Sequence, residues 1–100
     1  MVRGTTPTFS LKIDNSVDLT EAYNVYATFK QTNHTLTKTG ESLDVTAHQV
    51  DVYLSQEETL KFIGGSMDIQ LNWTYADGSR ACSNIVSVNV GANLIGSVLE

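Results

Sequence analysis

The chain has one cysteine, Cys82, and one proline, Pro7. A single thiol excludes an internal disulfide. Small secreted domains usually rely on several, so the scarcity favours assembly in a reducing compartment. One proline near the start leaves no proline-rich linker to divide the chain. Basic residues are few as well: six Lys and Arg stand against eleven Asp and Glu, a net charge of −5. Scattered cations without a stripe do not suit a phosphate backbone, so no nucleic-acid partner is expected. No run approaches the ~20 apolar residues of a membrane helix, and no membrane partner is expected. The opening from Met1 to Thr8 has no apolar stretch behind it, the pattern of a chain not secreted by a signal peptide.

What is present is strand periodicity. The 100 residues amount to one domain, residues 1–100, with enough chain to close a core unaided. Hydrophobic residues make up 41% and charged ones only 17%, and Thr, Ser, Asn and Gln supply the remaining polar surface. Phe9, Leu11 and Ile13 alternate with Ser10 and Lys12, which predicts a first strand after Pro7. Asp14 to Thr20 reads as a turn. Tyr23, Val25, Ala27 and Phe29 mark the inner face of a second strand. Short strands follow over Thr35 to Thr39 and around Leu43 and Val45. A fifth carries His48, Val50, Val52 and Leu54 on one face.

The strongest alternation is Met67, Ile69, Leu71, Trp73 and Tyr75. Asp77-Gly78 then predicts a two-residue type I′ turn, returning a seventh strand over Ser79 to Val90. That register sets Ile69 against Val86, Met67 against Val88 and Trp73 against Cys82.

Between the fifth and sixth strands, Ser55-Gln56-Glu57-Glu58 has the spacing of a capping box. It predicts a short helix anchored by Leu60, Phe62 and Ile63 and ended by Gly64-Gly65. After Gly91 the spacing of Leu94, Ile95, Val98 and Leu99 turns helical, so a short C-terminal helix is expected over the tail, about residues 91–100. About seven strands with alternating faces give an all-β, antiparallel sandwich of immunoglobulin-like architecture, without the usual Cys–Trp–Cys pattern. A small barrel is the alternative.

Catalytic, metal and cofactor sites are not expected. The two histidines, His34 in a turn and His48 at a strand start, lack the third and fourth ligands of a zinc site. Asp14 to Asp18 opens like a calcium loop, but Leu19 replaces the sixth-position glycine and Val25 the acidic twelfth ligand. No serine sits in a nucleophile elbow. Glu57 and Glu58 are adjacent and cannot face one another as an acid–base pair. Cys82, opposite Trp73, reads as a small hydrophobe at the core or its edge. The chain therefore reads as a non-enzyme.

Candidate contacts are aromatic and aliphatic. Tyr26 and Tyr53 fall out of phase with their buried neighbours, and so either anchor a protein or glycan or cover a sandwich edge. The tail residues Leu94, Ile95, Val98 and Leu99 either pack on their own sandwich or dock on a neighbouring subunit, which leaves a homo-oligomer open.

Several ordered features also carry a resemblance. Arg3-Gly4-Thr5-Thr6-Pro7-Thr8-Phe9 leads into the first strand and Val17-Asp18-Leu19-Thr20 follows it. Leu54 to Phe62 forms the helix, and Gln70-Leu71-Asn72-Trp73-Thr74-Tyr75-Ala76-Asp77-Gly78 the last hairpin. Over about residues 3–90 this resembles small proteins encoded among tail genes of phages and prophages of Gram-positive bacteria. It is also similar to the immunoglobulin-like N-terminal module of phage baseplate upper proteins. The resemblance implies a virion or tail-assembly component in the bacterial cytoplasm during assembly or in the virion. Its partners would be other tail or baseplate proteins, and it brings no catalytic residues. The baseplate proteins continue into long further domains that residues 1–100 do not include, so an accessory or adaptor role is expected rather than receptor binding.

Overall fold

A computed structural model describes all 100 residues, Met1–Glu100. Eight strands and one short helix follow in the order β1 (Thr8–Lys12), β2 (Asn24–Gln31), β3 (His34–Thr39), β4 (Leu43–Val45), β5 (Gln49–Tyr53), α1 (Gln56–Leu60), β6 (Gly65–Thr74), β7 (Arg80–Cys82) and β8 (Val86–Val90). They form two antiparallel sheets, an all-β sandwich. The smaller sheet runs β1-β5-β4. The larger runs β3-β2-β6, with β7 and β8 on successive stretches of the far side of β6. No helix is long and apolar enough to cross a membrane.

Period-two patterning decides which faces meet. On β6, Met67, Ile69, Leu71 and Trp73 point inward, and on β2 so do Val25, Ala27 and Phe29. Opposite them lie Val50, Val52 and Leu54 from β5 and its end, with Leu43 from β4. Phe9 of β1 stacks at a tilt on Phe29, with ring centroids 5.4 Å apart, so an aromatic pair joins the two sheets.

The predicted capping box is present: Ser55 Oγ accepts from the Glu58 N–H and Glu58 accepts from the Ser55 N–H. The helix packs over β3, where Lys38 donates to Glu58 at 2.7 Å. Phe62 is buried, but Ile63 points out, because its backbone is held by Gln31. The Gln31 amide donates to the Ile63 carbonyl at 2.7 Å and accepts from its N–H at 2.9 Å. Tyr23, expected on an inner face, lies just before β2 and is exposed.

The last hairpin departs from expectation at its turn. The loop has three residues, closed by Gly78 N–H to Tyr75 C=O and Tyr75 N–H to Ser79 C=O. Only Gly78 has a positive φ, at 87°, so Asp77 need not adopt the left-handed conformation that type I′ demands. The extra loop residue shifts the register by one: Trp73 faces Ala81, and Cys82 faces Asn72 on the outer, exposed side.

A second irregularity reverses the shift. Ser83, Asn84 and Ile85 stand opposite Gln70 and Leu71, a bulge that splits the expected single strand into β7 and β8. Beyond it, Ile69 faces Val86 and Met67 faces Val88, as the simple register requires. Inside the bulge, Ser83 Oγ accepts from the Leu71 N–H at 3.0 Å, and the Ser83 N–H donates to the Leu71 carbonyl at 2.9 Å.

The tail holds no helix: residues 91–100 are irregular. Gly96, in the middle of the segment, is a poor helix former. Side-chain amides hold the segment instead. The Gln56 amide donates to the Leu99 carbonyl at 3.1 Å and accepts from its N–H at 2.8 Å, and Asn93 donates to the Arg3 carbonyl at 2.9 Å.

Candidate protein-interaction surface

Three strands cannot cover a sheet four positions wide, in which β7 and β8 share the last position, so the larger sheet overhangs the smaller on both sides. On the β3 side the overhang is closed by α1 and Phe62, whose ring meets His34 edge-on at a centroid distance of 4.9 Å. His34 thus opens β3 and faces inward, rather than sitting in a turn. On the other side nothing closes it. Between β1 and the β7–β8 edge lies a cleft of about 590 Å3, floored by Leu11, Ile13, Leu71, Trp73, Ala81 and Val86. Lys12, Asp14 and Asn84 stand on its rim.

Both walls of the cleft are strand edges. In the β1–β5 ladder, the Ile13 N–H bonds the His48 carbonyl and the Leu54 N–H bonds the Pro7 carbonyl. Alternation then turns the backbone N–H and C=O groups of Thr8, Ser10 and Lys12 away from β5, and of these Ser10 and Lys12 line the cleft. On β8, Met1 donates to the Asn89 carbonyl, while Gly91 and Arg3 exchange bonds with Met1 and Gly91. Residues 1–3 thus lie parallel to the end of β8, starting from the bridge between Val2 and Gly91. The pairing stops at Asn89, and Ser87, two residues earlier, keeps its outward backbone groups free, while the second wall of the cleft itself is formed by Ala81, Cys82, Ser83, Asn84 and Val86.

The first-turn carboxylates are absorbed locally. Asp14 accepts from the Ser16 N–H and Asp18 from the Thr20 hydroxyl and N–H, and these bonds hold both carboxyls below the usual carboxylate range. His48 Nδ1 lies 2.7 Å from the Val17 carbonyl, fastening this loop to β5.

The residues singled out from sequence fall in three places. Tyr26 lies on the outer face of the larger sheet, over a shallow polar trough with Thr28, Thr37, Asn72, Thr74 and Arg80. Tyr53 lies half exposed on the outer face of the smaller sheet, beside Glu41, Asp44 and Asp51. The tyrosines therefore stand on opposite faces and share no site. Leu94, Ile95, Val98 and Leu99 all remain exposed, Leu94 fully so at 103%, and the Leu99 backbone is tied to Gln56 of α1. Sequence reasoning missed the cleft. Its one local signal was that Val86 and Val88 continue an inward pattern, and only sheet order reveals that nothing lies over Val86.

No family model, no curated protein and no solved structure matches the chain.

Proposed function

We propose that this chain is a non-enzymatic, immunoglobulin-like assembly module, tail or baseplate associated in a phage or prophage, which works through protein–protein contacts. The observation that carries the proposal is the cleft: two unpaired strand edges flanking an apolar floor form a surface that recognises another polypeptide by main-chain hydrogen bonds and alternate side chains. An enzyme pocket gathers titratable groups instead, whereas here the two histidines serve separate packing roles on β3 and beside Val17.

Strand order supports the finer fold reading. The orders β1-β5-β4 and β3-β2-β6-β8 are those that strands B, E and D and strands C′, C, F and G would take in such a fold, which is what favours this reading. The position beside β1, where strand A would pair, is empty. The phage assignment rests on the sequence resemblance over about residues 3–90.

The test is direct binding of the purified chain to the products of the genes flanking its own, and to tails purified from particles that the same genome encodes. A saturable complex with a tail or baseplate protein is the expected result. A chain that binds none of them but holds cell-wall glycan would transfer the function to the alternative reading, a surface-binding module. Of the two tyrosines, Tyr26 in its polar trough is the better-placed anchor for that reading.

A further inference from the structure

We propose that Asp77 is a covalent modification site: it isomerises spontaneously to isoaspartate through attack by the Gly78 nitrogen, and Ser79 restrains the rate. The inference is independent of the assembly reading. Of all the Asp and Asn residues in the chain, only Asp77 is followed by glycine. A side chain on the following residue obstructs the approach of its nitrogen to the carboxyl carbon, and glycine has none. Asp44, Asp51 and Asp68, by contrast, precede Val45, Val52 and Ile69 inside strands. Ala76 to Arg80 are all exposed, and a Cβ added at Gly78 would meet nothing within 4 Å. No packed neighbour therefore resists ring closure.

The step balances with water alone. The Gly78 nitrogen bonds to the Asp77 side-chain carboxyl carbon and gives up its proton. One carboxyl oxygen leaves as water, which requires the carboxyl to have taken up a proton. The product is a five-membered succinimide. Water then opens the ring: breaking the bond between the Gly78 nitrogen and the former main-chain carbonyl leaves the chain running through the Asp77 Cβ, and breaking the new bond restores aspartate. Neither mass nor charge differs between the two products.

The folded turn opposes each part of that step. Asp77 Oδ1 accepts from the Ser79 hydroxyl at 2.6 Å and from the Ser79 N–H at 2.8 Å, which draws the carboxyl toward Ser79. The same two bonds hold it below the usual carboxylate range, in the ionised form that does not release water. The attacking nitrogen is engaged as well, because the Gly78 N–H donates to the Tyr75 carbonyl at 3.0 Å. Isomerisation would add one methylene to the main chain of a three-residue loop that Tyr75 closes at both Gly78 and Ser79. A loop that tight has no slack for it. The hairpin then loosens from its tip, next to the Trp73–Ala81 pair on the cleft floor.

The test follows isoaspartate at position 77 in the full-length chain held in warm neutral buffer. An isoaspartate-specific methyltransferase and mass spectrometry of the peptides provide the readout. The modification is expected to gather at Asp77, fastest in wild type unfolded by urea, and to be absent in Asp77→Glu, whose ring would need six members. Ser79→Ala is expected to accelerate the folded chain about two- to tenfold, the worth of one hydrogen bond. Ser79→Thr is expected to keep the slow rate. Ser83→Ala, which loosens the sheet away from the turn, is expected to change the rate less than Ser79→Ala. Absence of isoaspartate at position 77 in urea overturns the site. A Ser79→Ala rate equal to wild type, or no greater than that of Ser83→Ala, overturns the role of Ser79. If Ser79→Ala fails to fold, the wild-type chain still decides, since equal folded and unfolded rates would show that the turn restrains nothing.

Discussion

Ile69 and Val86 are directly opposed on the inner face of the larger sheet, yet Ile69 is 2% exposed and Val86 52%. The difference comes from the opposite sheet, which roofs β6 but ends at β1 before reaching β8. Burial, not strand position, sets the energetic weight of each side chain. Ile69→Ala is expected to cost about 2–5 kcal/mol, whereas Val86→Ala is expected to cost under about 0.5 kcal/mol, as at an open surface site. Urea midpoints of the two variants check this. Equal costs would show that the cleft is closed in solution.

The Lys38–Glu58 bridge makes part of the stability depend on pH. Burial pushes the Glu58 carboxyl upward. The Lys38 hydrogen bond, the Ser55 N–H bond and the attraction of the Lys38 charge outweigh it and hold the group below its ordinary 4.5. A carboxyl with a depressed folded-state pKa stabilises fully above its unfolded value and loses that contribution as pH falls through the folded value. The stability gap between wild type and Glu58→Gln is therefore expected to be constant near neutrality and to shrink as pH drops below about 4.5. Urea titrations of both proteins across that range measure it, and a gap that widened in acid would contradict the assignment.

Ser83 makes the bulge between β7 and β8 tolerable. Its hydroxyl accepts the N–H of buried Leu71, which would otherwise face an irregular stretch with no carbonyl in register. Ser83→Ala leaves that donor unsatisfied, at an expected cost of about 1–3 kcal/mol. Ser83→Thr keeps the hydroxyl and is expected to recover most of the loss, as thermal unfolding of the pair would show.

Gln31 acts as a backbone substitute at the end of β2. Its amide pairs with both polar groups of Ile63 and fixes the chain between α1 and β6. Gln31→Leu keeps the volume but strands the Ile63 N–H and C=O, with an expected loss of about 1–3 kcal/mol. The diagnostic readout is faster amide exchange at Ile63 while the centre of β2, at Ala27 and Thr28, stays protected.

Much of this architecture was legible in the sequence because it is local. The inward faces of β2, β5 and β6 follow from alternation, and the capping box from Ser55 and Glu58 three residues apart. The failures have a common cause in small departures from regularity. One added residue in the turn before Ser79 and one in the bulge at Ser83 to Ile85 cancel by Ile69. The simple register is therefore right for Met67 and Ile69 but wrong for Trp73 and Cys82. Cys82, expected at the core or its edge, moved to the exposed outer face on that single step. The expected tail helix failed because aliphatic spacing alone does not fold a short segment containing Gly96, and its backbone finds other partners: Leu99 pairs with the Gln56 amide and the Ile95 N–H donates to Asn93 Oδ1.

The candidate site was less legible still. Tyr26 and Tyr53 were correctly out of phase with the core, but phase does not say which sheet carries a residue, and the two ended on opposite faces.

By itself the sequence determined the strand faces, the helix start and the all-β class, since each depends on contacts within a few residues. Only the tertiary structure decided which strands are edges, because pairing in a sandwich joins segments far apart in sequence. The cleft beside β1 exists for that reason: β5 pairs one side of the strand, and no segment of the same chain reaches the other.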